Sequence, residues 1–206
     1  MPANRLFLVR HGQTASNVAQ TLGASHDDPL DPVGEAQARA VAAHFARLDL
    51  PTPAVYASPF RRAGQTAAAI ADALAVPVTV LPGIQEIEVG PQWHGRPYAH
   101  LISHVHEIDL PGGAFGFAGG ETLEEVADRF LAALRQPLAR GQLPIVVSHG
   151  GALTAALARL LGQDIRAVWQ DPRYTHANTA LTQLERHGNG WQLARLADAA
   201  HLESKP

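Results

Sequence analysis

Arg10-His11-Gly12, Arg61-Arg62, Glu86 with Glu88, and His149 are four short stretches whose side chains suit one reaction, the transfer of a phosphoryl group. A neutral imidazole, with a reference pKa of ~6.5, is nucleophilic at neutral pH without help from a metal. It can attack phosphorus and hold the phosphoryl group as phosphohistidine. Charge on the transferring oxygens needs fixed positive donors, which Arg10, Arg62 and His149 can supply. A carboxylic acid must protonate the departing alkoxide and later take a proton from the attacking water. Glu86 and Glu88 are the candidates.

The elements that must position these groups are legible in the hydrophobic pattern. Leu6-Phe7-Leu8-Val9 reads as a short buried strand, ending in Arg10 and His11, with Gly12 allowing a tight turn. Pro144 to Ser148 is a second apolar run ending in His149-Gly150-Gly151. In open α/β sheets, ligands bind beyond the carboxyl ends of strands, so two such strands can bring both imidazoles to one crevice. Ala54–Ala57 and Val78–Leu81 give further strands. Ser58 is expected as the N-cap of a following helix, with Pro59 at its first position and Arg61 and Arg62 in its anion-favouring first turn.

Helices are expected from about 34 to 48, after the Thr122-Leu123-Glu124-Glu125 capping box, from 151 to 161, and near 164–170. Residues 179–184 and 191–196 read as late strands around a His187-Gly188-Asn189-Gly190 hairpin. The alternation predicts a three-layer α/β/α sandwich with a mostly parallel central sheet, in a single domain spanning residues 1–206. Residues 82–120 interrupt the rhythm with eight glycines around one expected helix at 97–107, and are read as a lid-like insertion.

Composition narrows the chemistry. The chain has 206 residues, a net charge of −3, no cysteine, and a single lysine, Lys205. Thiolate chemistry is excluded, and a phosphate-loop or Schiff-base lysine is not expected. Nothing in the charge suggests nucleic-acid binding, and no apolar run is long enough to cross a bilayer. Met1-Pro2-Ala3-Asn4-Arg5 has no signal-peptide pattern, which makes a cytoplasmic location the default. His94, His100, His104 and His106 cluster in the insertion; His100 and His104 have a metal-compatible spacing, but no zincin motif surrounds them, so pocket lining or exposure is expected.

The pieces, in this order, resemble the histidine phosphatase superfamily, which includes the cofactor-dependent phosphoglycerate mutases. Arg10-His11-Gly12-Gln13-Thr14-Ala15-Ser16-Asn17 resembles the family's Arg-His-Gly-x-Thr-x-x-Asn signature, and Gly23, Pro29-Leu30 and Gly34 match its following loop. Ser58 to Ala67 is similar to the second arginine motif, where the arginine directly before alanine is functional, which selects Arg62 over Arg61. The family's acid lies four residues before a glycine that precedes Trp-x-Gly; Gly90 and Trp93-His94-Gly95 thus select Glu86 over Glu88. Ser148-His149-Gly150-Gly151 is similar to the second histidine motif, and Asn178 sits where the family often has asparagine.

The resemblance implies a phosphoglycerate mutase-like fold, with His11 as nucleophile, Glu86 as proton donor, and Arg10, Asn17, Arg62 and His149 holding phosphate. No metal or other cofactor is implied. The preferred reading is a metal-independent phosphomonoesterase acting on a small-molecule phosphate monoester. The alternatives are a cofactor-dependent phosphoglycerate mutase and a non-catalytic phospho-ligand-binding protein. A mutase must grip a second acidic group, yet Arg96 is the only arginine or lysine between residues 63 and 128. A serine hydrolase is set aside, because no Gly-x-Ser-x-Gly elbow accompanies His149. Neither a nucleic-acid nor a membrane partner is expected, and a homodimer is left open.

Overall fold

The computed structural model describes residues 3–203; Met1 and Pro2 of the N-terminal pattern, and the single lysine Lys205, lie outside them. A six-stranded sheet in the order β3-β2-β4-β1-β5-β6 runs through the described residues. Its strands are β1 (Arg5–Arg10), β2 (Pro53–Ala57), β3 (Val78–Val80), β4 (Leu143–Ser148), β5 (Leu181–His187) and β6 (Gly190–Asp198). The first four are mutually parallel, while β5 runs antiparallel to β1 and β6 antiparallel to β5. Helices lie on both faces, as the alternating pattern requires.

One face carries α2 (Pro32–Ala46) and α3 (Arg61–Leu74), which bury Val41, Phe45, Ala67 and Ile70 against Phe7, Val9, Val55 and Ile145. The other carries α5 (Leu123–Ala139) and α6 (Gly150–Leu160), whose Phe130, Leu134 and Leu153 pack with Leu6, Leu8, Tyr56 and Val146. Alternate side chains of β1 and β4 thus feed the two cores, the period-two consequence of a strand covered on both faces. The Thr122 capping box forms as expected: Thr122 Oγ1 accepts from Glu125 N–H at 3.1 Å, and Glu125 accepts from Thr122 N–H at 2.9 Å.

Register fixes what emerges at the carboxyl edge. Arg10 pairs with Ser148, and His11 N–H donates to the Ser148 carbonyl at 3.0 Å, so His11 and His149 leave neighbouring strands side by side. On the other side of β4, Ala57 pairs with Val147 and Ser58 N–H donates to Val147 at 3.0 Å. Gly12 is held against Gly34: a Cβ at residue 12 would lie 2.6 Å from the Gly34 carbonyl oxygen, and one at residue 34 would lie 2.1 Å from that of Gln13. Those two glycines let the turn after β1 press onto the start of α2.

Three expectations are corrected. Ser58 does not cap α3, which begins at Arg61 with Phe60 as its N-cap and no side-chain capping bond. The Ser58 hydroxyl is instead taken up by His149 and Phe60 N–H. The segment 97–107 is not one helix but α4 (Tyr98–Ser103) followed by a 3-10 turn, Val105–Ile108. Ser103 Oγ donates back to the Ala99 carbonyl at 2.8 Å, and His104 leaves helical geometry at φ −128°, ψ 39°. Finally, the segment that the Arg-His-Gly-x-Thr-x-x-Asn resemblance covers without any predicted element contains a short helix, α1 (Ala15–Ala19), capped by Thr14. The remaining helix, α7 (Ile165–Gln170), lies where expected.

Candidate active site

The carboxyl ends of β2, β4 and β1 open into a cavity of about 1010 Å³ whose wall includes Arg10, His11, Asn17, Arg62 and Glu86. His11 is buried, and its Nδ1 lies 2.7 Å from the Gly12 carbonyl oxygen, which only a protonated nitrogen can satisfy. That places the lone pair of the neutral ring on Nε2. Arg62 Nε donates to this Nε2 at 3.1 Å, consistent with the same tautomer. Burial, with Arg10 and Arg62 adding to it, pushes the His11 pKa well below its usual value. These contacts favour the neutral ring, with its lone pair on Nε2.

The two arginines are aimed by backbone carbonyls. Arg10 Nη1 donates to His176 O at 2.6 Å, and Arg62 Nη1 donates to Ser25 O at 2.8 Å. Burial lowers the pKa of both guanidiniums, and the Glu86 carboxylate works against that shift in each. His176 is itself buried, its Nδ1 donating to Tyr174 O at 2.9 Å and its Nε2 accepting from Thr182 Oγ1 at 2.8 Å. Burial takes its pKa down to about 4.

Asn17 is placed by α1. Its Oδ1 accepts from Thr14 N–H at 3.2 Å and from Asn178 Nδ2 at 3.0 Å, so its own amide N–H groups are left to face the cavity and Tyr98. Asn178 also donates to the His11 carbonyl at 3.1 Å, tying the start of β5 to the end of β1.

His149 is fully buried behind His11, with ring centroids 5.1 Å apart, and is not part of the cavity wall. Its Nε2 lies 2.8 Å from Ser58 Oγ, and its Nδ1 has no protein partner. Arg10 Nε is likewise without one. Among the described residues these are the two buried side-chain nitrogens without a partner. Burial, then His11 and the arginines, lowers the His149 pKa well below the usual range.

Glu86 reaches the N-terminus of α6: Ala152 N–H donates to Oε1 at 2.8 Å and Gly151 N–H to Oε2 at 3.2 Å. A Cβ at residue 151 would lie 2.9 Å from Glu86 Oε1, so glycine keeps this approach open. The backbone carrying Glu86 is clamped by Arg129, which donates to the carbonyls of Gly83, Gln85 and Glu86 at 2.8, 2.9 and 3.0 Å while its fork holds Glu121. Glu88 lines the cavity away from His11, half-exposed and paired with His94 at 3.1 Å, and Arg61 is exposed.

Sequence reading missed Arg129, His176 and Ser25, which act over long sequence separations, and gave Ser58 the wrong role. Only Ser58 stood in a motif that could have flagged it. Of the insertion's histidines, His94 lies on the cavity wall, while His100, His104 and Glu107 place ligand-type atoms within 4.8 Å of one another. Arg96 already fills that space, donating to His100 Nε2 at 3.0 Å and to Glu107 at 3.4 Å. Trp93, Phe115 and Phe117 are buried in the same core as Leu8, Phe130 and Leu153, so the insertion is packed onto the body of the protein; Phe117 also reaches the cavity, as does Tyr98.

A doubly covered sheet with a tautomer-fixed histidine, two aimed arginines and a second imidazole at adjacent strand ends defines a class of α/β protein equipped to bind phosphate beside a nucleophilic nitrogen. The chain belongs to the histidine phosphatase superfamily, whose branch 1 family model matches residues 6–199. A probable phosphoglycerate mutase GpmB from Yersinia enterocolitica is 31% identical over 210 residues, covering 97% of this chain and 95% of that protein. Among solved structures, mycobacterial hydrolase 1 is similar with a TM-score of 0.79 and 27% identity, covering 95% of this chain and 98% of that one. A mycobacterial glucosyl-3-phosphoglycerate phosphatase is similar with a TM-score of 0.75 and 28% identity, covering 94% of this chain and 98% of that chain.

Proposed function

We propose that the protein is a phosphomonoesterase working through a phosphohistidine on His11. The observation that carries this is the Gly12 carbonyl on His11 Nδ1, which leaves Nε2 as the nucleophile between Arg10 and Arg62. Nε2 attacks phosphorus, the bond from phosphorus to the ester oxygen breaks, and Glu86 gives that oxygen its proton. Positive charge gained by the phosphorylated ring is balanced at Nδ1–H by the Gly12 carbonyl. Water then attacks phosphorus, Glu86 takes its proton, and the bond from phosphorus to Nε2 breaks. Arg10, Arg62 and the Asn17 amide hold the equatorial oxygens, while His149, buried behind His11, backs the nucleophilic ring. None of these steps calls for a metal.

A second reading, a phosphoglycerate mutase, is favoured by the name of the Yersinia relative. It requires the phosphoryl group to return to a second hydroxyl of an acidic substrate. The test follows 3-phosphoglycerate and an aryl phosphate in excess EDTA, with wild type and His11→Ala, quantifying phosphate and 2-phosphoglycerate together. Phosphate without isomer, lost in His11→Ala, is the expected result. Isomer accumulating faster than phosphate makes it a mutase, and activity retained in His11→Ala removes the phosphohistidine.

A further inference from the structure

We propose that the alcohol half of the substrate is large, uncharged and apolar or aromatic, rather than a small acid; this rests on the phosphatase reading above. Beyond the phosphate-holding groups, the cavity lining includes Leu22, Leu101, Ile102, Val105, Phe117 and Trp169. Its volume of about 1010 Å³ lies at the top of the ~300–1,000 Å³ range of pockets that enclose drug-sized ligands. A three-carbon acid would leave most of it filled with water against apolar side chains. Ile102, on the cavity lining, is 79% exposed, an apolar surface that a bulky alcohol would cover.

Charge gives the stronger argument. Among the described residues, Arg10 and Arg62 are the only arginines or lysines on the cavity wall, and both are already committed to the phosphate position. The same lining carries Asp27 and Glu86, together with Glu88 paired to His94 and Asp171 paired to Arg173. Neighbouring cations able to grip a carboxylate are turned elsewhere. Arg96 bonds His100 and Glu107 and lies over Trp93, its Cζ 5.1 Å from the ring centroid. Arg166 bonds Asp109 and lies over Phe115 at 4.5 Å, and Arg173 is locked on Asp171 at 2.5 Å. A carboxylate on the substrate would therefore meet Asp27 and Glu86 without a second free guanidinium, which works as selection against acidic esters.

The experiment measures kcat/KM for ethyl, butyl and hexyl phosphate, 1-naphthyl phosphate, phosphoserine and 3-phosphoglycerate, in wild type and Ile102→Asp. Full burial of a methylene is worth about fourfold, so partial burial gives about twofold per methylene, and hexyl phosphate exceeds ethyl phosphate by roughly tenfold or more. Phosphoserine and 3-phosphoglycerate fall below butyl phosphate. Ile102→Asp lowers the hexyl-to-ethyl ratio severalfold, and its exposed position makes misfolding an unconvincing cause. A flat chain-length series, or 3-phosphoglycerate ahead of hexyl phosphate, overturns the inference while leaving the phosphatase intact. Release of phosphate from none of the esters overturns both.

Discussion

Arg129 touches neither the cavity nor any proposed reacting atom, yet it fixes where Glu86 sits. Arg129→Met keeps the length and apolar stem of the side chain while removing three donations to the Gly83, Gln85 and Glu86 carbonyls and the fork onto Glu121. Hydrogen bonds from a charged donor contribute roughly 1.5–3 kcal/mol each, but the Arg129 and Glu121 side chains are 24% and 25% exposed, so water replaces part of the loss. A net cost of about 2–3 kcal/mol follows. For a chain of this size that lowers Tm by roughly 5–10 °C.

A merely structural role would end there. Acting through Glu86, Arg129 also has a chemical signature. A wandering Glu86 forfeits part of the ~10²–10⁴ that general acid catalysis contributes, but only where the leaving group needs a proton. We expect alkyl phosphate hydrolysis, measured well below the Tm, to fall about tenfold and aryl phosphate hydrolysis less than threefold. Added to Glu86→Gln, the same change costs alkyl phosphates little more. Equal losses on both ester types, or losses that multiply in the double variant, refute the positioning role.

Glu86→Gln alone is expected to slow alkyl phosphates by ~10² or more and aryl phosphates by less than tenfold; equal loss on both would argue against Glu86 as the acid. Stability should fall as pH drops from 6.5 towards 4, because His176 titrates at about 4 when folded but near 6.5 when unfolded, so the unfolded chain binds the extra proton in that window. The gap corresponds to a ceiling of about 3 kcal/mol, with buried His11 and His149 adding in the same direction. Urea unfolding at pH 7 and 4.5 measures it, and a His176→Gln variant with the same pH slope as wild type would rule His176 out.

The fold was legible wherever hydrophobic period and punctuation agreed. The apolar runs of β1 and β4, the Thr122 box and the Gly188-Asn189 hairpin are local signals, and each formed where the pattern put it. The candidate site was legible as Arg10-His11, an arginine pair, a glutamate pair and His149 at or beyond strand ends, and the family resemblance then singled out Arg62 and Glu86. What stayed hidden depends on partners far along the chain. Ser58 carries the local marks of an N-cap, but His149, 91 residues away, claims its hydroxyl. The helix expected over 97–107 fails because Ser103 and His104 bond the preceding carbonyls of the Ala99–His100 turn, a local competition that apolar spacing does not report.

Thr179 shows how closely the sheet and the site constrain one another. It is a β-branched residue at φ 60°, a conformation such side chains rarely adopt. From there its N–H reaches the carbonyls of Arg10 and His11 at 3.1 and 3.3 Å, and its hydroxyl lies 3.1 Å from His201 Nε2. The strained turn lets antiparallel β5 begin at the point where parallel β1 ends, while Asn178 beside it bonds the His11 carbonyl and Asn17. On the other flank, Arg10 stands opposite Ser148. A slip of one residue in the β1–β4 register would turn His11 away from the cavity and Phe7 and Val9 out of their core together. The pairing that buries the apolar face is thus the same pairing that aims the imidazole, and core packing enforces the geometry of the site to the same tolerance as the core.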